Sequence, residues 1–105
     1  MRKIEEQMNR AITNGANWSS GNTTVSTNDD GTSLVYLHGN HIATVSDHAI
    51  TLYDGGWQSA TTKSRLNAIL TDHGAPTDGI FQKDYVWYVH THKGTEVFQS
   101  GVTLT

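Results

Sequence analysis

The sequence has no cysteine and only one proline among its 105 residues. Without cysteine there is no disulfide framework and no thiolate metal site, and a reducing intracellular compartment fits. Charged residues make up only 16% of the chain and the net charge is −3, which is too mild for a DNA mimic or for a protein that coats nucleic acid through overall charge. No apolar run is long enough for a signal peptide or a membrane span. We therefore expect a soluble, cytoplasmic protein that has no membrane partner.

The abundant residues are Ser, Thr, Asn and Gly, which favour a β-rich domain with many tight turns. The chain length predicts a single domain, residues 1–105, with one modest core. A first helix is predicted over about residues 2–13, where Ile4, Met8 and Ile12 share an apolar face and Asn14-Gly15 ends the helix. The Glu5-Glu6 pair is assigned to its solvated first turn.

Turn signals divide residues 22–54 into a meander of four short antiparallel strands, with turns expected at Asp30-Gly31, Gly39-Asn40 and Asp47-His48. With these turns, one set of side chains lies on a buried face of the sheet: Val25, Leu34, Tyr36, Ala43, Val45, Ile50 and Leu52. The opposite face carries Val35, Leu37, Ile42 and Tyr53. A terminal hairpin, another protein or a second copy of this chain is expected to cover part of it.

A central helix follows Gly55-Gly56 and ends near Gly74. Residues 85–90 are then predicted as a central strand, apolar on both faces, followed by a last strand over residues 96–104. The predicted fold is therefore α+β. It has an antiparallel sheet of about five to seven strands, made of the four-strand meander and a C-terminal hairpin, with an N-terminal helix and one central helix.

The central helix begins with two cations, Lys63 and Arg65, where the helix dipole favours anions. Hydroxyl groups and free backbone amides at the same helix start can hold a phosphate or carboxylate, and Asn67 can grip the backbone of a partner. Trp57, beside two glycines, is predicted to be an exposed anchor for a partner. The predicted partner or anion site consists of Trp57, Thr61, Thr62, Lys63, Ser64, Arg65 and Asn67.

A purely structural interpretation of the same segment is also open. Ser59, Thr61 and Thr62 are each suitable helix N-caps, and the two cations can form a solvated face or pair with nearby aspartates. No enzyme signature argues against this interpretation, because the chain has neither a phosphate-binding glycine loop nor a nucleophile elbow.

Two pairs of histidines are candidate metal ligands. His90 and His92 are two residues apart on a predicted strand, while His38 and His41 flank a predicted turn. A zinc or nuclease site also needs a third ligand or a carboxylate base, and no ligand-spacing motif is present. No cofactor is predicted, and a histidine–metal hydrolase is kept as a lesser alternative.

Aromatic residues near the C-terminus leave nucleic-acid binding open. Tyr85, Trp87 and Phe98 can stack on bases, with Lys83 and Lys93 near the strand ends. A domain this small also needs large side chains to fill its core, which is the simpler explanation for all three aromatic residues.

The segment Gly56-Trp57-Gln58-Ser59-Ala60-Thr61-Thr62-Lys63-Ser64-Arg65-Leu66-Asn67-Ala68-Ile69-Leu70, together with residues 35–43 and 79–83, resembles short uncharacterised proteins encoded by tailed bacteriophages. The resemblance extends over nearly the whole chain and carries no catalytic residues across. It implies a small phage accessory protein made in the host bacterial cytoplasm. The leading hypothesis is non-enzymatic binding of a host or phage protein that modulates host physiology or defence. The main alternative is nucleic-acid binding through Lys63, Arg65 and exposed aromatic residues.

Overall fold

The computed structural model describes residues 1–105 and contains two helices and nine short strands. The helices are α1 (Lys3–Asn14) and α2 (Ala60–His73), and neither is long and apolar enough to cross a membrane. The strands are β1 (Trp18–Ser20), β2 (Thr23–Thr27), β3 (Ser33–Leu37), β4 (Asn40–Val45), β5 (Ile50–Leu52), β6 (Gly79–Lys83), β7 (Val86–Thr91), β8 (Gly94–Val97) and β9 (Val102–Leu104). The predicted α+β class, with an N-terminal and a central helix, is confirmed.

The strands form two antiparallel sheets. The larger sheet has the order β1-β2-β3-β4-β5-β9, and the smaller sheet has the order β6-β7-β8. The predicted meander is present as β2 to β5, and β7 is the central strand of the small sheet. The predicted last strand is divided in two, because the chain leaves the small sheet after β8 and returns as β9 to pair with β5.

The β3–β4 hairpin turns one residue earlier than predicted. Leu37 pairs with Asn40, so the turn consists of His38 and Gly39. Both turn residues have positive φ angles, 51° and 78°, as a type I′ turn requires. The prediction placed glycine first in the turn, whereas here a histidine adopts the left-handed conformation and the glycine follows it.

A loop of residues 28–32 before β3 and a β-bulge in the β3–β4 pairing reverse the predicted faces of β3. Tyr36 pairs with His41 but Val35 pairs with Ala43, so Ile42 is the extra residue and is buried like Ala43. Val35 and Leu37 are buried, whereas Leu34 and Tyr36 are only half-buried on the other face. The earlier turn alone would change the pairing by two residues and keep the faces, whereas the one extra residue of the bulge exchanges them. The other residues of the predicted buried face are buried as expected: Val25, Ala43, Val45, Ile50 and Leu52.

One apolar cluster of 20 buried residues joins both helices and both sheets. Met8 of α1 and Leu66 and Ile69 of α2 are completely buried. Trp87 projects into the same cluster from the inner face of the small sheet. The start of α2 therefore lies between α1, the large sheet and the small sheet. Its side chains can form hydrogen bonds with all three.

Candidate functional site

The cap of α2 uses two of the hydroxyl groups at the helix start. Ser59 Oγ accepts a hydrogen bond of 3.1 Å from the Thr62 backbone N–H, and the two hydroxyl oxygens are 2.9 Å apart. Ser59 is therefore the N-cap, which satisfies one of the free backbone donors. Thr62, predicted as a binding residue, is only 3% exposed, and its backbone N–H and hydroxyl belong to this cap.

Arg65 is an interior residue, so its predicted role as a surface cation is wrong. Its guanidinium donates hydrogen bonds to Glu5 Oε2 at 2.9 Å and to Thr23 Oγ1 at 3.1 Å. A third bond, of 3.2 Å, reaches Asn22 Oδ1. Arg65 thereby links α2 to α1 and to β2, and its partner is not one of the nearby aspartates.

Glu5 completes this buried ion pair, contrary to its predicted place on a solvated helix turn. The residue is 3% exposed and also accepts a bond of 2.6 Å from Ser64 Oγ. Burial by itself would raise the pKa of Glu5, but hydrogen bonds from Ser64, Arg65 and the Arg2 backbone, with the charge of Arg65, bring that pKa below its ordinary value. Glu5 is therefore an anion at neutral pH, and Ser64 is engaged inside the protein.

Asn67 binds backbone as predicted, but the backbone belongs to its own chain. Its side chain accepts a bond of 2.8 Å from the Ile80 N–H and donates one of 2.9 Å to the Ile80 carbonyl. The pair connects α2 to β6 of the small sheet. Asn67, like Ser64 and Arg65, uses its side-chain polar groups for hydrogen bonds within the fold.

Within the predicted site, Trp57 is exposed, and four residues are half-buried: Thr61, Lys63, Ser64 and Asn67. The polar groups of Ser64 and Asn67 are bonded within the fold, which leaves Trp57, Thr61 and Lys63 for a partner. Trp57 is 75% exposed, as its predicted role as an anchor requires. Lys63 is half-buried, with its Nζ 3.5 Å from Gln82 Oε1. No cluster of cations remains at the helix start once Arg65 is inside.

Trp57 stands at the rim of a groove of about 340 Å³ between the β3–β4 hairpin and the start of α2. Ile42 and Leu37 supply its apolar lining, and Asp54 is its one carboxylate. No lysine or arginine lines the groove. Its chemistry therefore suits an apolar side chain of a protein better than a phosphate.

The loop that presents Trp57 is fixed against the large sheet at Gly55. This glycine has a φ of 70°, and a Cβ atom added there would lie 3.2 Å from Asn40 Cβ and 3.3 Å from Ile42 Cγ2. Such a close approach and a left-handed backbone both require glycine. The exposed indole is thus held on an ordered loop.

The histidines do not form a metal site. His41 Nε2 lies 2.9 Å from the Ala43 carbonyl oxygen, and its ring packs between Tyr36 and Tyr53. His38 is exposed in the β3–β4 turn. His90 Nδ1 lies 2.8 Å from Thr95 Oγ1, and His92 lies in the exposed turn that follows β7. No three histidine, aspartate or glutamate side chains come together to hold a metal ion, so the geometry gives the hydrolase alternative no support.

The C-terminal aromatic residues separate into two groups. Trp87 and Phe98 are buried and meet edge-to-face with their ring centroids 5.5 Å apart, which confirms their predicted place in the core. Tyr85 is 92% exposed in the turn between β6 and β7, so its predicted place in the core is wrong. Sequence reasoning also missed Phe81 and Tyr88, whose rings stack on the outer face of the small sheet. Alternation of Phe81 with buried Ile80 was the available signal.

A family model described as Kyanoviridae Gp96 protein matches residues 1–105, so the chain belongs to this family of phage proteins. The match agrees with the resemblance to tailed-phage proteins. A search of the curated proteins and a search of the solved structures found no match.

Proposed function

We propose that this member of the Kyanoviridae Gp96 family is a non-enzymatic phage accessory protein that binds a host or phage protein and thereby modulates host physiology or defence. The observation that carries the proposal is Trp57, a large apolar side chain held 75% exposed at the rim of a groove that Leu37 and Ile42 line in part. Tryptophan is the residue type most enriched among side chains that dominate binding energy at protein interfaces. The proposed contact surface is Trp57, the groove beside it and the neighbouring Thr61 and Lys63.

The lining of the groove supports a protein ligand over an anion. A phosphate or nucleic-acid site would present lysine or arginine, whereas the charged or titratable lining residues here are Asp54 and His38. A partner side chain that fills the groove would contact Ile42 and cover the indole of Trp57. Lys63, beside the groove on the first turns of α2, would then meet the polar rim of the interface.

The same geometry supports binding over catalysis. Ser59 lines the groove together with His38, but its hydroxyl is committed to the cap of α2 through Thr62. The groove therefore presents no free serine hydroxyl for a histidine to activate.

Site-specific photo-crosslinking tests the proposal. A photoreactive amino acid would replace Thr61, which lines the groove beside Trp57, and in a matched control it would replace Thr13, an exposed residue of α1. Both proteins would be produced in phage-infected host cells. We expect one protein to be crosslinked from position 61 and not from position 13. Excess wild-type protein should lower the yield of this crosslinked product by competing for the partner, whereas excess Trp57→Ala should not lower it.

Two results would contradict the proposal. Identical crosslinked proteins from both positions, or equal competition by wild type and Trp57→Ala, would show that Trp57 is not the contact. Nuclease treatment of the sample before analysis removes any protein that is recovered only through nucleic acid.

A further inference from the structure

The outer face of the small sheet carries a continuous apolar surface. Four of the six large hydrophobic side chains exposed in this protein belong to the small sheet or its first hairpin turn: Phe81, Tyr85, Val86 and Val97. Phe81, Tyr88 and Val97 form one row across β6, β7 and β8, because Phe81 pairs with Tyr88 and Tyr88 with Val97. Exposed patches of this kind mark interaction sites.

The row contains an aromatic platform, defined as the stacked rings of Phe81 and Tyr88. The rings of Phe81 and Tyr88 have centroids 5.3 Å apart and an interplanar angle of 19°, so they are stacked. The inner face of the same strands is buried through Ile80, Trp87 and Val89. The platform therefore lies on a rigid sheet with its accessible surface outward.

Tyr85 lies in the β6–β7 hairpin turn, at the end of the two strands that carry this platform. Asp84 and Tyr85 both have left-handed backbones, with φ angles of 51° and 67°. These two positions of a type I′ turn favour glycine or asparagine, and a tyrosine there costs conformational energy. At 92% exposure its ring gains little by burial in return. Backbone strain of this kind is found most often at functional sites.

The charges on this face suit an anionic ligand. The outward strand positions on β6, β7 and β8 are Gly79, Phe81, Lys83, Val86, Tyr88, His90, Thr95 and Val97. They include a lysine and a histidine but no carboxylate, although the protein as a whole has a net charge of −3. Glu96 lies on the opposite face, where it lines a groove with Val89, and the carboxylate nearest in sequence is Asp84, in the turn between Lys83 and Tyr85.

We propose that this face binds single-stranded nucleic acid, with unpaired bases stacked on Tyr85 and on the Phe81–Tyr88 platform and with Lys83 against a phosphate. Every base has a π-face, so stacking on aromatic side chains requires no particular sequence. A duplex keeps its bases stacked inside and would have to be held by charge, which one lysine does not supply. A second copy of this chain would bring Lys83 to a face whose outward strand positions hold no carboxylate to pair with it.

This site is separate from the groove at Trp57, so each of the two proposals can fail alone. Fluorescence anisotropy with labelled single-stranded DNA and RNA, of about ten nucleotides, and with a duplex of equal length would test it. The informative variant is Tyr85→Gly, because glycine fits the left-handed turn and the protein should fold at least as well as wild type. Trp57→Ala is the matched control, since it also removes one exposed aromatic side chain.

We expect single strands to bind at micromolar concentration and to bind at least about tenfold more tightly than the duplex. Tyr85→Gly should weaken binding by about tenfold, and Lys83→Gln should weaken it and reduce its dependence on salt, while Trp57→Ala should leave it unchanged. Three results would overturn the proposal: no binding at about 100 µM protein, equal affinity for the duplex, or equal affinity of wild type and Tyr85→Gly. A change of oligomeric state in Tyr85→Gly without a change in affinity would instead assign the face to a second copy of this chain.

Discussion

Replacement of Arg65 by methionine would show whether the polar start of α2 is structural. Methionine keeps an unbranched apolar stem of comparable shape but supplies none of the three hydrogen bonds that Arg65 makes to Glu5, Thr23 and Asn22. The Glu5 carboxylate would stay buried with Ser64 and the more distant Arg2 backbone N–H as its remaining donors. An unpaired buried charge of this kind is the costly outcome of breaking an interior ion pair.

The expected loss in the free energy of unfolding is about 3–5 kcal/mol, the usual cost of removing one partner of a buried pair. In a protein of this size each kcal/mol lowers the melting temperature by about 4–8 °C, so a fall of at least roughly 12 °C is expected. Urea unfolding followed by circular dichroism and by tryptophan fluorescence would measure the loss. Lys63→Met is the matched control, because Lys63 lies two residues away on the same helix and its replacement should cost less than about 0.5 kcal/mol.

The pH dependence provides a second readout. In the wild type the pKa of Glu5 is below its ordinary value of 4.5, so its stabilising contribution is complete above that pH and is lost as pH falls through the lowered pKa. In Arg65→Met, burial without the guanidinium should raise the pKa of Glu5, and its protonation then relieves the unpaired charge. The stability difference between wild type and variant should therefore narrow as the pH falls below about 5.

A loss below about 1 kcal/mol that stays constant with pH would refute the reasoning. The double variant Glu5→Leu with Arg65→Met gives a further test, since replacement of both partners by apolar residues removes the unpaired charge. It should be more stable than Arg65→Met alone.

Four further predictions concern single side chains. Asn67→Ala should cost about 1–3 kcal/mol in urea unfolding and speed amide exchange at Ile80, because it removes both bonds to that backbone; unchanged exchange would contradict this. Burial lowers the pKa of His73, so the unfolded chain binds its proton more readily and stability should fall as pH drops below 6.5; His73→Gln should abolish that part of the dependence, and an NMR midpoint above 6.5 would refute it. Tyr85→Gly should raise the unfolding free energy by about 1 kcal/mol by relieving a left-handed tyrosine, and a loss of stability would show that the turn is not strained. Trp57→Ala should change stability by less than about 0.5 kcal/mol, and a larger loss would indicate a structural role.

Local patterns predicted the helices well. The apolar spacing of Met8 and Ile12 gave α1 to within one residue at each end, and Gly15 ends it in the left-handed conformation that was expected. The Asp47-His48 turn is also confirmed, since Val45 pairs with Ile50 across it. These features depend on residues that are close in sequence, which is why they could be predicted.

The β3–β4 register and the Tyr85 turn were not predictable in the same way. Each hairpin turn contains a residue other than glycine with a positive φ angle, His38 in one and Tyr85 in the other. Turn rules favour glycine and asparagine at such positions. A prediction from these rules therefore placed the β3–β4 turn one residue too late and did not identify the β6–β7 turn. Burial of the surrounding sheet, which those rules do not include, decides the register.

The interior role of Arg65 depended on a contact between residues 60 positions apart. One signal was present, because Glu5 lies on the same helix face as Met8 and Ile12, and a carboxylate among buried side chains needs a cation. The mismatched charge at the start of α2 was the other half of that pair. The helix-dipole argument assigned the charge of Arg65 to a ligand, whereas Glu5 of the same chain pairs with it.

The most direct measurement is a comparison of partner capture by Trp57→Ala and by wild type, with urea unfolding of the same two preparations. If Trp57 is the contact and the α2 start is structural, the variant should unfold at the same urea concentration as wild type. It should also fail to capture the protein that wild type captures. Retention of that protein by a fully folded Trp57→Ala variant would show that recognition occurs elsewhere on the molecule.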